Sequence, residues 1–313
     1  MQPAFSVIFL TTLIGAAQGL FLALYGTEVS GLGQLGALET HQFMLTSSLV
    51  ALVLTALGLL ASFFHLGHPE RAWRSAAMWR TSWLSREVIA LPVFMAGLFF
   101  YGSAHGLGLD STRWIGALTA LACLTLFVCT AMIYASIRFL QEWASPLTLV
   151  NYLLLGCASG LTLATALAAI SGNSALVMPY AGAAAALTLL AWVTRAASLV
   201  RNARLKPKSS LQSAIGIKHP RIVQKAQGFM GGSFNTREFF HGRSAELLRS
   251  VKWAFLVLVF PVPLLLLGAG VSASSASILG AAFLLQYLGL LAERWFFFAQ
   301  ANHPQNLYYQ TIS

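Results

Sequence analysis

The chain has 313 residues, of which 57% are hydrophobic and only 9% are charged, and its formal net charge is +10. Because soluble domains are roughly one quarter charged, this composition excludes a water-soluble enzyme. Cys123, Cys129 and Cys157 all lie in apolar stretches and lack the spacing of metal ligands, so the chain encodes neither a disulfide framework nor an iron–sulfur site.

Eight apolar segments are each long enough to cross a bilayer, which takes about 20 residues for about 30 Å of hydrocarbon. Backbone groups must be paired in lipid, so each segment is predicted to be a helix. The predicted fold is an all-α integral membrane protein, with residues 1–313 forming a single membrane domain. The predicted transmembrane helices span residues 4–27, 43–64, 88–108, 114–137, 147–170, 175–194, 253–271 and 277–299.

The basic residues are distributed unevenly between the two sides of these spans. One side carries 18 of the 19 Lys and Arg residues, twelve of them in the loop 195–252, and the other side carries Arg113 alone. The positive-inside rule therefore places both termini and the basic loop in the cytoplasm, and the bacterial cytoplasmic (inner) membrane is the expected location. This bias explains the charge without nucleic acid; anionic lipid or an acidic docking subunit is the expected partner.

The richest polar segment flanks spans two and three and runs from His65 to Glu87. A quinone head needs an apolar approach, hydrogen-bond partners for its oxygens and groups that exchange protons. An imidazole such as His65 can bond a quinone oxygen in either protonation state, and Glu87 can accept a proton. The structural alternative stays open: in it, His65 caps span two, and Glu87 is a first-turn acid behind an N-cap at Ser85. Trp83 is equally typical of the membrane interface.

The seven histidines lie at span ends or in loops, whereas haem in the bilayer needs axial ligands that project from spans at matching depths. The chain is therefore predicted to be haem-free and to hold no metal.

Two further sets of polar residues lie at the ends of the spans, one on each face of the membrane. Glu293 and Arg294 fall near the basic end of span eight, where charges need partners, and Arg138 is a predicted partner for Glu293. On the opposite face, four residues either bound a proton exit or are ordinary loop residues. They are Glu28, Glu39, His41 and Asp110.

The C-terminal tail offers hydrogen-bonding and aromatic groups but little charge, as a docking segment for a partner would. An interfacial aromatic anchor is the alternative. The predicted docking residues are Asn302, His303, Tyr308 and Tyr309.

Three motifs together carry a resemblance to a known family. The chain contains His-Leu-Gly-His-Pro from His65, Ser-Trp-Leu-Ser-Arg-Glu ending at Glu87, and Glu-Arg-Trp from Glu293, followed by His-Pro-Gln-Asn-Leu-Tyr-Tyr from His303. This pattern resembles the membrane-anchor subunit of dimethyl sulfoxide reductase and its relatives. The length and the eight-span layout agree with that family over essentially the whole chain.

The resemblance implies an anchor that exchanges menaquinone or ubiquinone and holds a molybdopterin catalytic subunit and a four-cluster iron–sulfur subunit at the membrane. It carries the family's quinone-site histidine and acid onto His65 and Glu87, and Arg86, Ser85 and Trp83 share the same motif. The opening residues from Gln2 onward look more like anchors of sulfite-oxidising molybdoenzymes, which leaves the direction of electron flow open.

Two alternatives remain at this point. A passive anchor without a quinone site would have the same fold. A secondary transporter is the rival from another functional class, although ionisable residues are scarce at mid-membrane positions, where transported ions usually need them.

Overall fold

The computed structural model describes residues 1–31, 37–64, 66–223, 225 and 243–304, and in residues 37–39 only the backbone. These residues form helices and contain no β-strand. Eight helical segments are long and apolar enough to cross a membrane, which confirms the predicted all-α, eight-span fold. The helices are α1 (Phe5–Ser30), α2 (Ala37–Phe63), a 3₁₀ helix (Pro69–Ala76), α3 (Trp83–Gly106), α4 (Thr112–Ala135), α5 (Pro146–Ile170), α6 (Ser174–Ala203), α7 (Leu211–Ile215), α8 (Ala245–Val259), α9 (Pro261–Ser272) and α10 (Ala276–Ala299).

Proline and serine set several of the helix boundaries. The seventh span is divided in two, because α8 ends at Val259 and Pro261 opens α9; proline cannot donate the helical hydrogen bond that would continue the first helix. Pro146 lies in the first turn of α5, where its missing N–H costs nothing, and the Ser145 hydroxyl caps that helix by accepting from the Leu147 N–H at 3.3 Å.

The loop predicted for residues 195–252 is helical at both ends. Helix α6 continues past the predicted end at Thr194 to Ala203, and α8 begins at Ala245. The sequence prediction ended span six at the first charge, but Arg195 is only 2% exposed and lies on the packed face of α6. A charged side chain that finds a partner inside the bundle does not have to mark the end of a span.

Helix α1 lies at the centre of the bundle and packs against α2 and α5. It crosses α5 at four glycines, Gly15 and Gly19 on α1 and Gly156 and Gly160 on α5. An added Cβ at Gly160 would lie 2.1 Å from the Leu20 backbone nitrogen, and one at Gly19 would lie 2.2 Å from the Gly156 carbonyl oxygen. Small residues spaced four apart let membrane helices approach at the backbone. Only glycine fits at Gly19 and Gly160, whereas Gly15 has ordinary van der Waals room for a Cβ.

Candidate functional site

The segment that holds the predicted quinone residues is anchored by the start of α3. The Ser82 hydroxyl accepts from the Ser85 N–H at 3.3 Å, so Ser82 is the N-cap of α3. The prediction of Ser85 as the N-cap was wrong, because Ser85 is already inside the first turn and its side chain is buried. His65 lies outside the described residues. Its neighbour in the motif, His68, is exposed and its Nδ1 lies 3.0 Å from Glu70 Oε1.

Glu87 points into the bundle. It is 9% exposed, and the Thr130 hydroxyl on α4 donates to Glu87 Oε1. Both side chains line an enclosed space of about 20 Å³ that Tyr152 and Arg294 also line, here named the inner cavity. This volume suits about one water molecule and is far too small for a quinone ring. The inner cavity therefore leaves no room for a quinone ring beside Glu87.

Arg86 and Trp83 point to the outside of the bundle. The Arg86 guanidinium donates from Nε to the Trp79 carbonyl at 2.9 Å and from Nη2 to the Arg80 carbonyl at 2.7 Å, and its Cζ lies 4.2 Å from the Trp83 ring centroid. Together they close one end of a groove of about 760 Å³ between α3 and α4, here named the outer groove. The rest of its lining is apolar except for Thr125 and Cys129, and the groove is large enough for a quinone head and part of its tail.

The inner cavity and the outer groove are separated by one seam of side chains. Arg86 and Glu87 are consecutive on α3, and Cys129 and Thr130 are consecutive on α4. The first member of each pair lines the outer groove and the second lines the inner cavity. Consecutive helical residues point about 100° apart, which is why one motif supplies both sides.

Three charged side chains are buried beside this seam, at the basic end of the bundle. Arg195 Nε lies 2.8 Å from Glu293 Oε1, and Arg294 Nε lies 3.6 Å from Glu293 Oε2. Arg138, the predicted partner of Glu293, is instead exposed, because the longer α6 places Arg195 against α10. These charges line a second small space of about 10 Å³, here named the charge cavity.

The start of the C-terminal tail lines a third space, on the basic face. Asn302 and His303 lie with Glu142, Lys206 and Lys208 along a groove of about 730 Å³, here named the basic-face groove. The His303 ring packs against Phe139 at 5.1 Å, and burial lowers the pKa of His303. Tyr308 and Tyr309 lie outside the described residues.

A separate cluster lies at the opposite end of the bundle. Glu28 Oε2 accepts from the Tyr101 hydroxyl at 2.9 Å and lies 3.8 Å from His105 Nε2, while His105 Nδ1 lies 3.3 Å from His41 Nδ1. The structure thus joins Glu28 and His41 of the predicted proton exit through His105. Asp110 is exposed, and the side chain of Glu39 is outside the described set.

The sequence interpretation missed several polar residues that lie within the spans. Thr130, Tyr152 and Gln18 line the inner cavity, and Asn151 lines the charge cavity. These residues could have been recognised as candidates because they are polar and lie inside apolar segments, where a polar group needs a partner or a function. The prediction considered span ends instead.

Comparison with known proteins identifies the family of this chain. The family model for the DMSO reductase anchor subunit (DmsC) matches residues 1–298. The chain belongs to this family. It is also 56% identical to a subunit of the sulfite dehydrogenase from Allochromatium vinosum, over 326 aligned positions that cover all of both chains. The resemblance drawn from the motifs is confirmed: the chain is the multi-pass membrane anchor subunit of a molybdoenzyme complex with catalytic and iron–sulfur partner subunits.

Proposed function

We propose that this anchor subunit reacts with quinone and passes electrons between it and the iron–sulfur partner, which carries four clusters. The relative from A. vinosum is a sulfite dehydrogenase subunit, which supports a complex whose molybdopterin subunit oxidises sulfite. In that direction two electrons from sulfite pass through the clusters to the quinone, and two protons taken up beside it complete the quinol. Ubiquinone and menaquinone both fit this chemistry.

The observation that carries the proposal is the position of the outer groove beside the inner cavity. The apolar lining of the outer groove suits an isoprenoid tail, and Trp83 and Arg86 stand at its basic end, where a quinone head would meet them. Two N–H groups of Arg86 are held by backbone carbonyls. Since a guanidinium has five N–H groups, others remain to bind a quinone oxygen. Glu87 lies one residue away and supplies the acid that quinone reduction needs.

His65 is proposed to hydrogen-bond the second quinone oxygen, because it lies in the His-Leu-Gly-His-Pro motif shared with the family. An imidazole at this loop can donate a hydrogen bond or a proton near neutral pH. Ser85, buried in the first turn of α3, is proposed to hold the backbone around Glu87.

The soluble subunits are proposed to dock on the basic face, in the cytoplasm, with both termini of the chain on that side of the inner membrane. The basic-face groove offers Lys206 and Lys208 to an acidic surface and Asn302 and His303 to hydrogen bonding. Complementary charge of this kind steers and orients a partner.

Quinone reactivity is tested on the purified complex, with sulfite as donor and decylubiquinone as acceptor. Glu87→Gln should lower quinone-linked turnover by about 10²-fold, the range of general acid–base effects, while dye-linked sulfite oxidation by the soluble subunits is retained. His65→Ala and Arg86→Gln should raise the KM for decylubiquinone. The matched controls, all on the same loop, are Glu70→Gln, His68→Ala and Arg74→Gln.

Equal quinone-linked rates in wild type and all three site variants would show that the redox site lies elsewhere or that the chain is a passive anchor. Substrate flux in proteoliposomes without the soluble subunits would favour a transporter instead.

Docking is tested by ending the chain before Asn302. The soluble subunits should be released from the membrane while the truncated anchor still inserts, because the eight spans are intact. If the truncated anchor fails to insert, the tail is needed for insertion and is not a docking segment.

A further inference from the structure

The three spaces at the basic end of the bundle adjoin one another in series. The inner cavity and the charge cavity share Tyr152 and Arg294, and the charge cavity and the basic-face groove share Glu142 and Asn202. Glu87 lies at the inner end of the series. Its outer end opens at the basic-face groove, outside the spans.

Polar atoms along this series are buried without a hydrogen-bond partner among the described residues. They include the Tyr152 hydroxyl, Arg195 Nη2, Glu293 Oε2 and Glu142 Oε2. Buried atoms of this kind are normally satisfied by ordered water, and the volumes of about 20 and 10 Å³ suit single water molecules with polar neighbours. Water and hydroxyl groups in sequence can carry protons.

We propose that protons reach Glu87 from the basic side through Glu142, water in the charge cavity and the Tyr152 hydroxyl. This inference rests on the proposed quinone reaction and adds its proton supply. For each proton that Glu87 gives up towards the quinone, one enters at Glu142, and the two electrons come from the iron–sulfur partner. The proton therefore reaches the quinone head from inside the bundle and does not travel along the apolar length of the outer groove.

The two ends of the series have groups suited to this task. Glu142 lies between α4 and α5, outside the spans, and burial raises its pKa, although the N–H groups of Glu142 and Asn302, the N-terminal ammonium and Arg201 oppose that shift. Its carboxyl is therefore protonated closer to neutral pH than an ordinary glutamic acid. Tyr152 is held in place by Arg294, whose Cζ lies 3.7 Å from the Tyr152 ring centroid.

The buried charges have a positioning role. Glu293 is held by Arg195 and Arg294 from two sides, and guanidinium groups do not release protons at physiological pH. Their N–H groups can donate hydrogen bonds that orient water in the charge cavity.

The test compares Glu142→Gln and Tyr152→Phe in the purified complex, again with sulfite and decylubiquinone. Each should lower turnover by about tenfold, a modest share of a general acid–base effect, with the KM for decylubiquinone and the dye-linked rate unchanged. The solvent deuterium isotope effect on turnover should rise, because proton delivery becomes limiting. Formate, a small diffusible acid, should restore turnover in Glu142→Gln. Tyr180→Phe is the matched control. The Tyr180 hydroxyl is also buried, but it is hydrogen-bonded to the Thr27 hydroxyl, near the end of α1 that is farthest from the basic face.

The outcomes separate this inference from the quinone proposal. If Glu87→Gln lowers turnover as expected while Glu142→Gln and Tyr152→Phe keep the wild-type turnover and isotope effect, the proton route is wrong and the quinone proposal stands. If Glu87→Gln, His65→Ala and Arg86→Gln all transfer electrons at the wild-type rate, both proposals fall; a wild-type rate in Glu87→Gln alone overturns the proton route. Loss of the soluble subunits from Glu142→Gln, with no rescue by formate, would make Glu142 structural and would also overturn the route.

Discussion

At the scale of the residue, the feature with the largest energetic consequence is the group of buried charges beside Tyr152. Arg195, Glu293 and Arg294 are 2%, 1% and 5% exposed. Removing charges from water costs several kcal/mol per ion, and only good pairing offsets that cost. Among the described ion pairs, Glu293 is the only carboxylate within 4 Å of Arg195 or of Arg294. Its single negative charge therefore offsets part of the desolvation cost of both guanidinium groups.

We expect Glu293→Gln to destabilise the protein by about 3–5 kcal/mol, because it leaves two buried guanidinium groups without a carboxylate. Denaturant unfolding of the purified anchor in detergent measures this loss, with exposed Glu70→Gln as the control. The double variant with Arg195→Gln should recover part of the stability. Unfolding of Glu293→Gln at the wild-type denaturant concentration would contradict the role of the ion pair.

Glu142 gives a prediction about pH and stability. Since burial raises its pKa above the ordinary 4.5, the folded state favours the protonated form. The stability from this group is complete below about pH 4.5 and is lost as the pH rises through the higher value. Glu142→Gln stays neutral, so its melting temperature should rise relative to wild type between pH 4.5 and pH 8. A constant difference across that range would show that burial does not disfavour the carboxylate.

Some of these residues could be predicted from the sequence, and others could not. Glu87 follows a recognisable motif next to a span, and its burial agrees with a role inside the bundle. The pairing of Arg195 with Glu293 was not predictable, because hydropathy ends a span at its first charge and does not show which helices are neighbours. The division of Arg86 and Glu87 between two spaces also depends on how α3 is rotated against α4.

At the scale of the element, the close crossing of α1 and α5 depends on Gly19 and Gly160, where an added Cβ would meet the backbone of the other helix. We expect Gly160→Leu to prevent this contact, because even a Cβ would lie 2.1 Å from the Leu20 nitrogen, and overpacking by one methylene already costs about 1–3 kcal/mol. The yield of assembled anchor in membranes measures the effect. Gly182→Leu on α6 is the matched control, since nothing lies within 4 Å of its Cβ position. Equal yields of the two variants would show that the crossing can relax.

The existence of the helices was predictable and their packing was not. Apolar length is enough to identify eight spans, because lipid forces the backbone into helices. The four-residue spacing of two glycine pairs, Gly15 with Gly19 and Gly156 with Gly160, could have indicated a close helix contact. The spacing does not show that these two helices contact each other. The end of α6 was also missed, since its last turns lie beyond the apolar run.

At the scale of the whole molecule, the uneven distribution of Lys and Arg predicts a single orientation in the membrane. Lys208, at the basic face, and Asp110, between α3 and α4, are both exposed and lie at opposite ends of the bundle. Lys208→Cys should react with an impermeant maleimide only from the cytoplasm, and Asp110→Cys only from the periplasm. The unsubstituted protein, whose three cysteines lie within α4 and α5, gives the background. Labelling in the reverse sense would move the proposed docking face to the periplasm.

The glycine crossing also has a consequence for biosynthesis. Helix α1 leaves the ribosome before α5, its partner in the glycine crossing, which begins more than one hundred residues later in the chain. Domains and helices emerge in N-terminal order, so the glycine face of α1 must wait beside lipid while α2, α3 and α4 insert. A chain whose synthesis stops before Gly160 leaves that face uncovered. The crossing thus makes the insertion of α5 a condition for closing the centre of the bundle.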